Sequence, residues 1–133
     1  MCRFEKTAEA AAKEAAAQGI HWTFAPMLDI SRDARWGRVA ESAGEDTYLT
    51  ARYAEAKVRG FQGDHVADPD RLLSCAKHFA AYGAAIGGKD YNAVDMSLQT
   101  LWNDYLPPFK AAAKAGAATF MAAFNTLNGS RVL

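Results

Sequence analysis

Cysteine is scarce in this chain: Cys2 and Cys75 are the two it has in 133 residues, which excludes a disulfide framework. Cys75 falls in an apolar run and reads as a small core residue, and Cys2 lies at the terminus; neither points to redox or metal chemistry. Charge of one sign is also lacking. Fifteen basic residues balance fifteen acidic ones, so nothing pulls the chain toward nucleic acid or an anionic surface, and nothing marks it as membrane-bound. His21, His65 and His78 show no H-x-H or H-x3-H spacing, which argues against a metal site, and no cofactor is expected. The opening MCRFEKTAEAAAKEAAAQ contains no apolar segment of an export signal. It enters a helix at once, and the chain is expected to be a fragment of a longer protein.

What is present is ordinary for a globular protein: 50% hydrophobic and 23% charged residues, with enough length for one core. Residues 4–18 form an alanine-rich helix with Glu9 and Lys13 at a favourable spacing, ended by Gly19. Residues 20–25 read as a buried strand, broken at Pro26. A loop dense in charge follows, and Asp46 caps a helix over 47–59 that Gly60 stops. Residues 61–71 form a polar surface connection. LLSCAKHFA (72–80) is a second buried strand, followed by a long glycine-containing loop. The next helix carries Leu98, Leu101, Trp102 and Tyr105 until Pro107 and Pro108 break it; a shorter helix resumes to Lys114. AATFMAAF (117–124) is a third buried strand before an Asn128-Gly129 turn. Continuous apolar strands alternating with helices imply a parallel α/β sheet covered by helices. Three strands cannot close a barrel, so this is either a small open α/β domain or part of a (β/α)8 barrel.

Three groups of residues invite a functional reading. Arg38, Lys77 and His78 fall at strand C-terminal ends, where α/β folds place their sites. Lysine and histidine together offer donors and an acceptor to a ligand rich in hydroxyls, although each could equally find a structural partner. Second, Gly83 to Lys89 fits G-x-x-x-x-G-K, a phosphate-cradling pattern, but Asp90 stands where a magnesium-binding hydroxyl belongs. Third, the carboxylates Asp29, Asp33, Glu41, Glu45, Asp46, Asp90 and Asp95 could include a general acid and a nucleophile. Nothing in their spacing selects two of them, and ion pairing with the loop's arginines accounts for most.

The segments FAPMLDI (24–30), RDARWGR (32–38), Glu41, GEDTYL (44–49), RGFQG (59–63), KHFAAYG (77–83), GKDYN (88–92), VDMS (94–97) and YLPPF (105–109) closely resemble glycoside hydrolase family 3, in the same order. Phe124-Asn125 and Asn128-Gly129 continue the match, which is nearest to the bacterial periplasmic β-glucosidase branch. The resemblance implies a partial (β/α)8 TIM-type barrel with about three parallel strands and covering helices. On this reading residues 1–133 are a fragment of a single N-terminal catalytic domain. It also implies a retaining β-glucosidase that removes terminal non-reducing β-D-glucosyl residues, with an exported, periplasmic or secreted parent. Arg38, Lys77 and His78 match positions that hydrogen-bond the sugar of the −1 subsite. Phe124 matches one that is often tyrosine and is a weaker contributor. Asp33, Arg35, Glu41, Glu45 and Asp46 would fix the loop's shape, with Trp36 and Gly37 setting its turn. The family's nucleophile aspartate is expected beyond Leu133 and its acid/base glutamate in a later domain, so no catalytic residue is assigned here. The expected partners are a β-glucoside or oligosaccharide and the remainder of the parent chain. A non-catalytic sugar-binding module and a nucleotide-binding α/β domain are the alternatives.

Overall fold

The computed structural model describes residues 2–131. High alanine propensity and the Lys13–Glu9 ion pair at 2.9 Å support helix α1 (Arg3–Ala17), which buries Ala8 and Ala12. These small side chains bring α1 close to α2 (Thr47–Gln62), and the crossing point is Gly60. A Cβ there would lie 2.5 Å from the Glu5 carbonyl oxygen and 2.6 Å from Ala8 Cβ. Gly60 therefore does not stop the helix as its sequence position suggests: it is glycine because α1 leaves no room. The helix runs on to Gln62 and ends at Gly63, with φ +62°. Phe61 and Gln62, expected in a polar connection, are buried.

Strand β1 (Cys75–Phe79) pairs in parallel with β2 (Thr119–Ala122), Cys75 opposite Thr119. Residues 20–28 run along the other side of β1 through parallel bridges at Trp22–Leu73 and Met27–Lys77. The backbone bonds Thr23 N to Leu73 O (3.0 Å), Cys75 N to Ala25 O (2.8 Å) and Lys77 N to Pro26 O (3.0 Å) tie this path to its neighbour. It is not a regular strand, because Pro26 has no N–H to give and the ladder is interrupted there. The result is three parallel chain paths with β1 in the middle. Leu28, Ala76 and Ala80 pack against Ala54 and Val58 of α2 and Phe109 and Ala112 of α4 (Pro107–Lys114). Cover is incomplete among the described residues: Trp22 and Phe24 are 47% and 54% exposed. The expectation of strands buried on both faces holds for Cys75 and Ala76 but fails at Phe79 and Phe120, each 42% exposed.

The helix expected to carry Leu98, Leu101, Trp102 and Tyr105 is also different. Ser97 caps a short α3 (Leu98–Thr100), which passes directly into a π turn over Leu101–Tyr105. A π turn adds a residue per turn and rotates the buried face. Tyr105 is buried while Leu98 and Trp102 face outward. At the C-terminal side, β3 (Thr126–Leu127) and β4 (Ser130–Arg131) form a hairpin whose turn places Asn128 and Gly129 at positive φ. No described helix is long and apolar enough to cross a membrane.

Candidate functional site

The loop that leaves Leu28 is anchored at one bulky residue. Trp36 is 1% exposed, stands edge-on to Tyr82 at 5.3 Å between ring centroids, and donates its Nε1–H to Asp90 Oδ1 at 2.9 Å. With Trp36 fixed, Gly37 leads to Arg38, and a 3-10 turn (Val39–Glu41) folds Glu41 back toward it. Arg38 holds Glu41 through two parallel bonds, Nε to Oε1 at 2.7 Å and Nη2 to Oε2 at 2.8 Å. Its third nitrogen, Nη1, lies 3.2 Å from His78 Nε2. Lys77 Nζ reaches Glu41 Oε2 at 3.9 Å. Neighbours in a regular strand face opposite sides, yet Lys77 and His78 both turn to this corner, and the β1–β2 register shifts between Lys77 and Phe79. On its far side His78 meets Asp29, with Nδ1 2.7 Å from Oδ2 and the backbone N–H donating to the same oxygen at 3.2 Å. The Asp29 side chain is fully buried.

Electrostatics follow from these contacts. Hydrogen bonding from Arg38 holds the Glu41 carboxyl below its ordinary range, and the same bonds raise the guanidinium further above its own. Burial, then the nearby Asp90 carboxylate, pushes the Tyr82 phenol upward. The corner can therefore offer donors from Arg38 and Lys77 and acceptor oxygens from Glu41, with both ring nitrogens of His78 already engaged. That set suits a neutral ligand whose hydroxyls both give and take hydrogen bonds.

The remaining residues singled out in the sequence are spread around the corner. Asp33 is clamped by Arg35, Nε to Oδ1 at 2.9 Å and Nη2 to Oδ2 at 2.7 Å, and these bonds lower its carboxyl to about 2. Asp46 caps α2 by accepting from Leu49 N at 2.5 Å. Glu45 is exposed and makes no hydrogen bond or ion pair among the described residues. Phe124 is 78% exposed, its ring 5.9 Å from that of Tyr91. The G-x-x-x-x-G-K loop is not shaped as a phosphate cradle. Its amides are spent on its own carbonyls, Ile86 N to Ala93 O (3.0 Å) and Gly88 N to Ala85 O (2.9 Å). A Cβ on Gly83 would strike the Ile30 carbonyl, and one on Gly88 would lie 3.0 Å from Arg35 Cβ, so these glycines let two loops touch. Between the loops a cleft of about 560 Å³ is lined by Arg32, Arg35, Ile86 and Tyr105 among others. No group of three or more His, Cys, Asp or Glu among the described residues could hold a metal. Asp29 and Asp90 stood among the candidate carboxylates but without their partners, and Tyr82 was not singled out: the partners lie 49, 54 and 46 residues away in sequence, and no local pattern marks such pairings.

A family model described as the glycosyl hydrolase family 3 N-terminal domain matches residues 2–133. The chain belongs to glycoside hydrolase family 3. It is 55% identical over 119 residues to a periplasmic beta-glucosidase of Salmonella typhimurium, covering 90% of this chain and 16% of that relative. A beta-xylosidase of Formosa agariphila is 40% identical over 129 residues, covering 94% of this chain and 18% of the relative. Among solved structures, a beta-glucosidase from Listeria innocua in complex with glucose superposes with a TM-score of 0.95 at 48% identity, over 97% of this chain and 18% of that one. The same enzyme has been solved in complex with laminaribiose. The three parallel paths and their helices are thus part of a family 3 (β/α)8 barrel, and the chain spans under a fifth of the length of these relatives.

Proposed function

We propose that this chain supplies part of the −1 glucose-binding subsite of a retaining β-glucosidase that acts on terminal non-reducing β-D-glucosyl residues. The supporting observation is the convergence of Arg38, from the loop after Leu28, with Lys77 and His78, from the end of β1, on one corner. In this reading Arg38 and Lys77 donate to sugar hydroxyls, His78 and Glu41 balance them, and Phe124 adds a weaker apolar contact at the rim. Asp33, Arg35, Glu41 and Asp46 keep the loop in shape through their bonds, whereas Glu45, expected to do the same, is exposed and holds nothing among the described residues. The carboxylates nearest the corner are committed: Asp29 to His78, Glu41 to Arg38, Asp33 to Arg35. The nucleophile and the acid/base are accordingly assigned to the remainder of the parent chain, with residues 1–133 a part of its N-terminal catalytic domain. The β-glucoside substrate follows the glucosidase relatives, and a periplasmic or secreted parent is the reading that the periplasmic beta-glucosidase of Salmonella typhimurium supports.

The test is kinetic. In the parent enzyme Arg38→Ala and Lys77→Ala are each expected to lower kcat/KM for an aryl β-glucoside about 10- to 100-fold, since a hydrogen bond to a charged group contributes ~1.5–3 kcal/mol. Unchanged kcat/KM in both variants would remove the subsite assignment. The purified 133-residue chain is expected to show no turnover of the same substrate. Turnover that disappears on replacing a local carboxylate would contradict the division of labour.

A further inference from the structure

We infer that Asp29 is a positioning residue of the sugar site, fixing His78 as a neutral imidazole with its proton on Nδ1 so that the Nε2 lone pair points at Arg38. This rests on the subsite reading above but makes a claim of its own about a residue outside that subsite. The argument is one of donors and acceptors. A guanidinium has five N–H donors and no acceptor, and it does not lose its proton in proteins. The Nε2 that faces Arg38 Nη1 at 3.2 Å must therefore present its lone pair. An ionised carboxylate only accepts, so the Nδ1 lying 2.7 Å from Asp29 Oδ2 must carry the hydrogen. The two contacts demand the same tautomer, and a second proton on the ring would set Nε2–H against a cation. The other ionisable groups around the ring are Lys77 beside it on β1, Glu41 beyond Arg38, and Tyr82, whose ring stands edge-on at 5.0 Å. With His78 4% and Asp29 2% exposed, solvent has little part in choosing the tautomer.

The chain of contacts runs from Asp29 through His78 to Arg38 and on to Glu41. Asp29 is buried and reaches the ligand only through the histidine. With its Nε2 lone pair occupied by Arg38 Nη1, the histidine joins Glu41 in holding the guanidinium in place, so that the remaining N–H donors of Arg38 and those of Lys77 are left for sugar hydroxyls. A ring turned over, or protonated on Nε2, would repel Arg38 and release the guanidinium from that place.

Asp29→Ala in the parent enzyme is expected to lower kcat/KM by about tenfold or more, a loss typical of an unpartnered buried group. Asp29→Asn is expected to keep most of it. Both His78 donors converge on the single oxygen Oδ2, which an amide oxygen can replace, and Oδ1 accepts from no described residue. On a His78→Gln background, Asp29→Ala should cost nothing more, because the group it positions is gone. Asn as damaging as Ala, or losses that multiply in the double variant, would refute the assignment. Neutron diffraction of the unmodified parent decides the matter without any variant that might fail to fold: hydrogen on Nδ1 and none on Nε2 supports the proposal, and hydrogen on Nε2 overturns it. If the parent proves inactive on every β-glucoside, the glucosidase reading falls while the neutron map still judges the Asp29–His78 pair.

Discussion

Glu41 shows how a single contact sets a pH dependence. Arg38's hydrogen bonds lower its carboxyl in the folded chain, with the positive charge of Lys77 adding to the effect and burial opposing it. A folded value below the unfolded one means that the unfolded chain binds more protons in that interval. The contribution is thus complete above the ordinary glutamate pKa of about 4.3 and is lost as pH falls through the folded value. The melting-temperature difference between wild type and Glu41→Gln is expected to be constant from pH 6 to 8 and to shrink below about pH 4. Glu41 is 45% exposed, so solvent screening keeps the difference small, under ~1 kcal/mol. A difference that grows on acidification would contradict this account. The same residue also shows the limit of reading from sequence: pairing with an arginine of its own loop was expected of such a carboxylate, but Lys77, which also approaches it, comes from β1.

At the level of elements, what was legible depended on whether the cause is local. Helix α1 could be read from its alanines, the Asp46 cap from its position, and the hairpin from Asn128-Gly129, since each acts within a few residues. Gly60 misled because glycine after an apolar period normally ends a helix, whereas here it answers to α1 across the interface. Gly60→Ala would gain ~1 kcal/mol of helix propensity, but its Cβ meets backbone at 2.5 Å, and overpacking costs ~1–3 kcal/mol. Net destabilisation in urea unfolding is the expected outcome. Gln62 was invisible for a related reason. Its Oε1 accepts from Ser74 N (3.2 Å), Ser74 Oγ (2.5 Å) and Ala118 N (2.9 Å), while Nε2 donates to Gly116 O (2.9 Å). One buried amide joins the end of α2 to the starts of β1 and β2. Gln62→Ala leaves several of these groups unsatisfied at ~1–3 kcal/mol each. A loss of at least ~2 kcal/mol is expected in the same assay, and a near-neutral result would show that other partners take over.

For the whole molecule, the decisive fact is the apolar surface left uncovered among the described residues. Trp22 and Phe24 are half exposed on one side of the sheet. On the other, Phe79, Trp102, Leu106, Phe109 and Phe120 line an apolar groove of about 480 Å³. The parallel order and the helix layer could be read from the sequence, but not which faces would stay open, because that depends on the rest of a barrel. Open apolar faces and unpaired strand edges promote association. The isolated chain is expected to sediment as oligomers in analytical ultracentrifugation. A single monomeric species that melts sharply would mark it as a self-sufficient domain.

The corner around Arg38 has a consequence for how its ligand arrives. Two cations, Arg38 and Lys77, face two carboxylates, Glu41 and Asp29, across a neutral imidazole. With the Asp90 carboxylate beside Trp36 and Tyr82 added, no positive charge is left over, so the corner gives no attraction to an anionic ligand over a neutral one. Encounter with an uncharged sugar is then set by diffusion and fit alone, and the parent's kcat/KM for such a sugar should stay level as ionic strength rises.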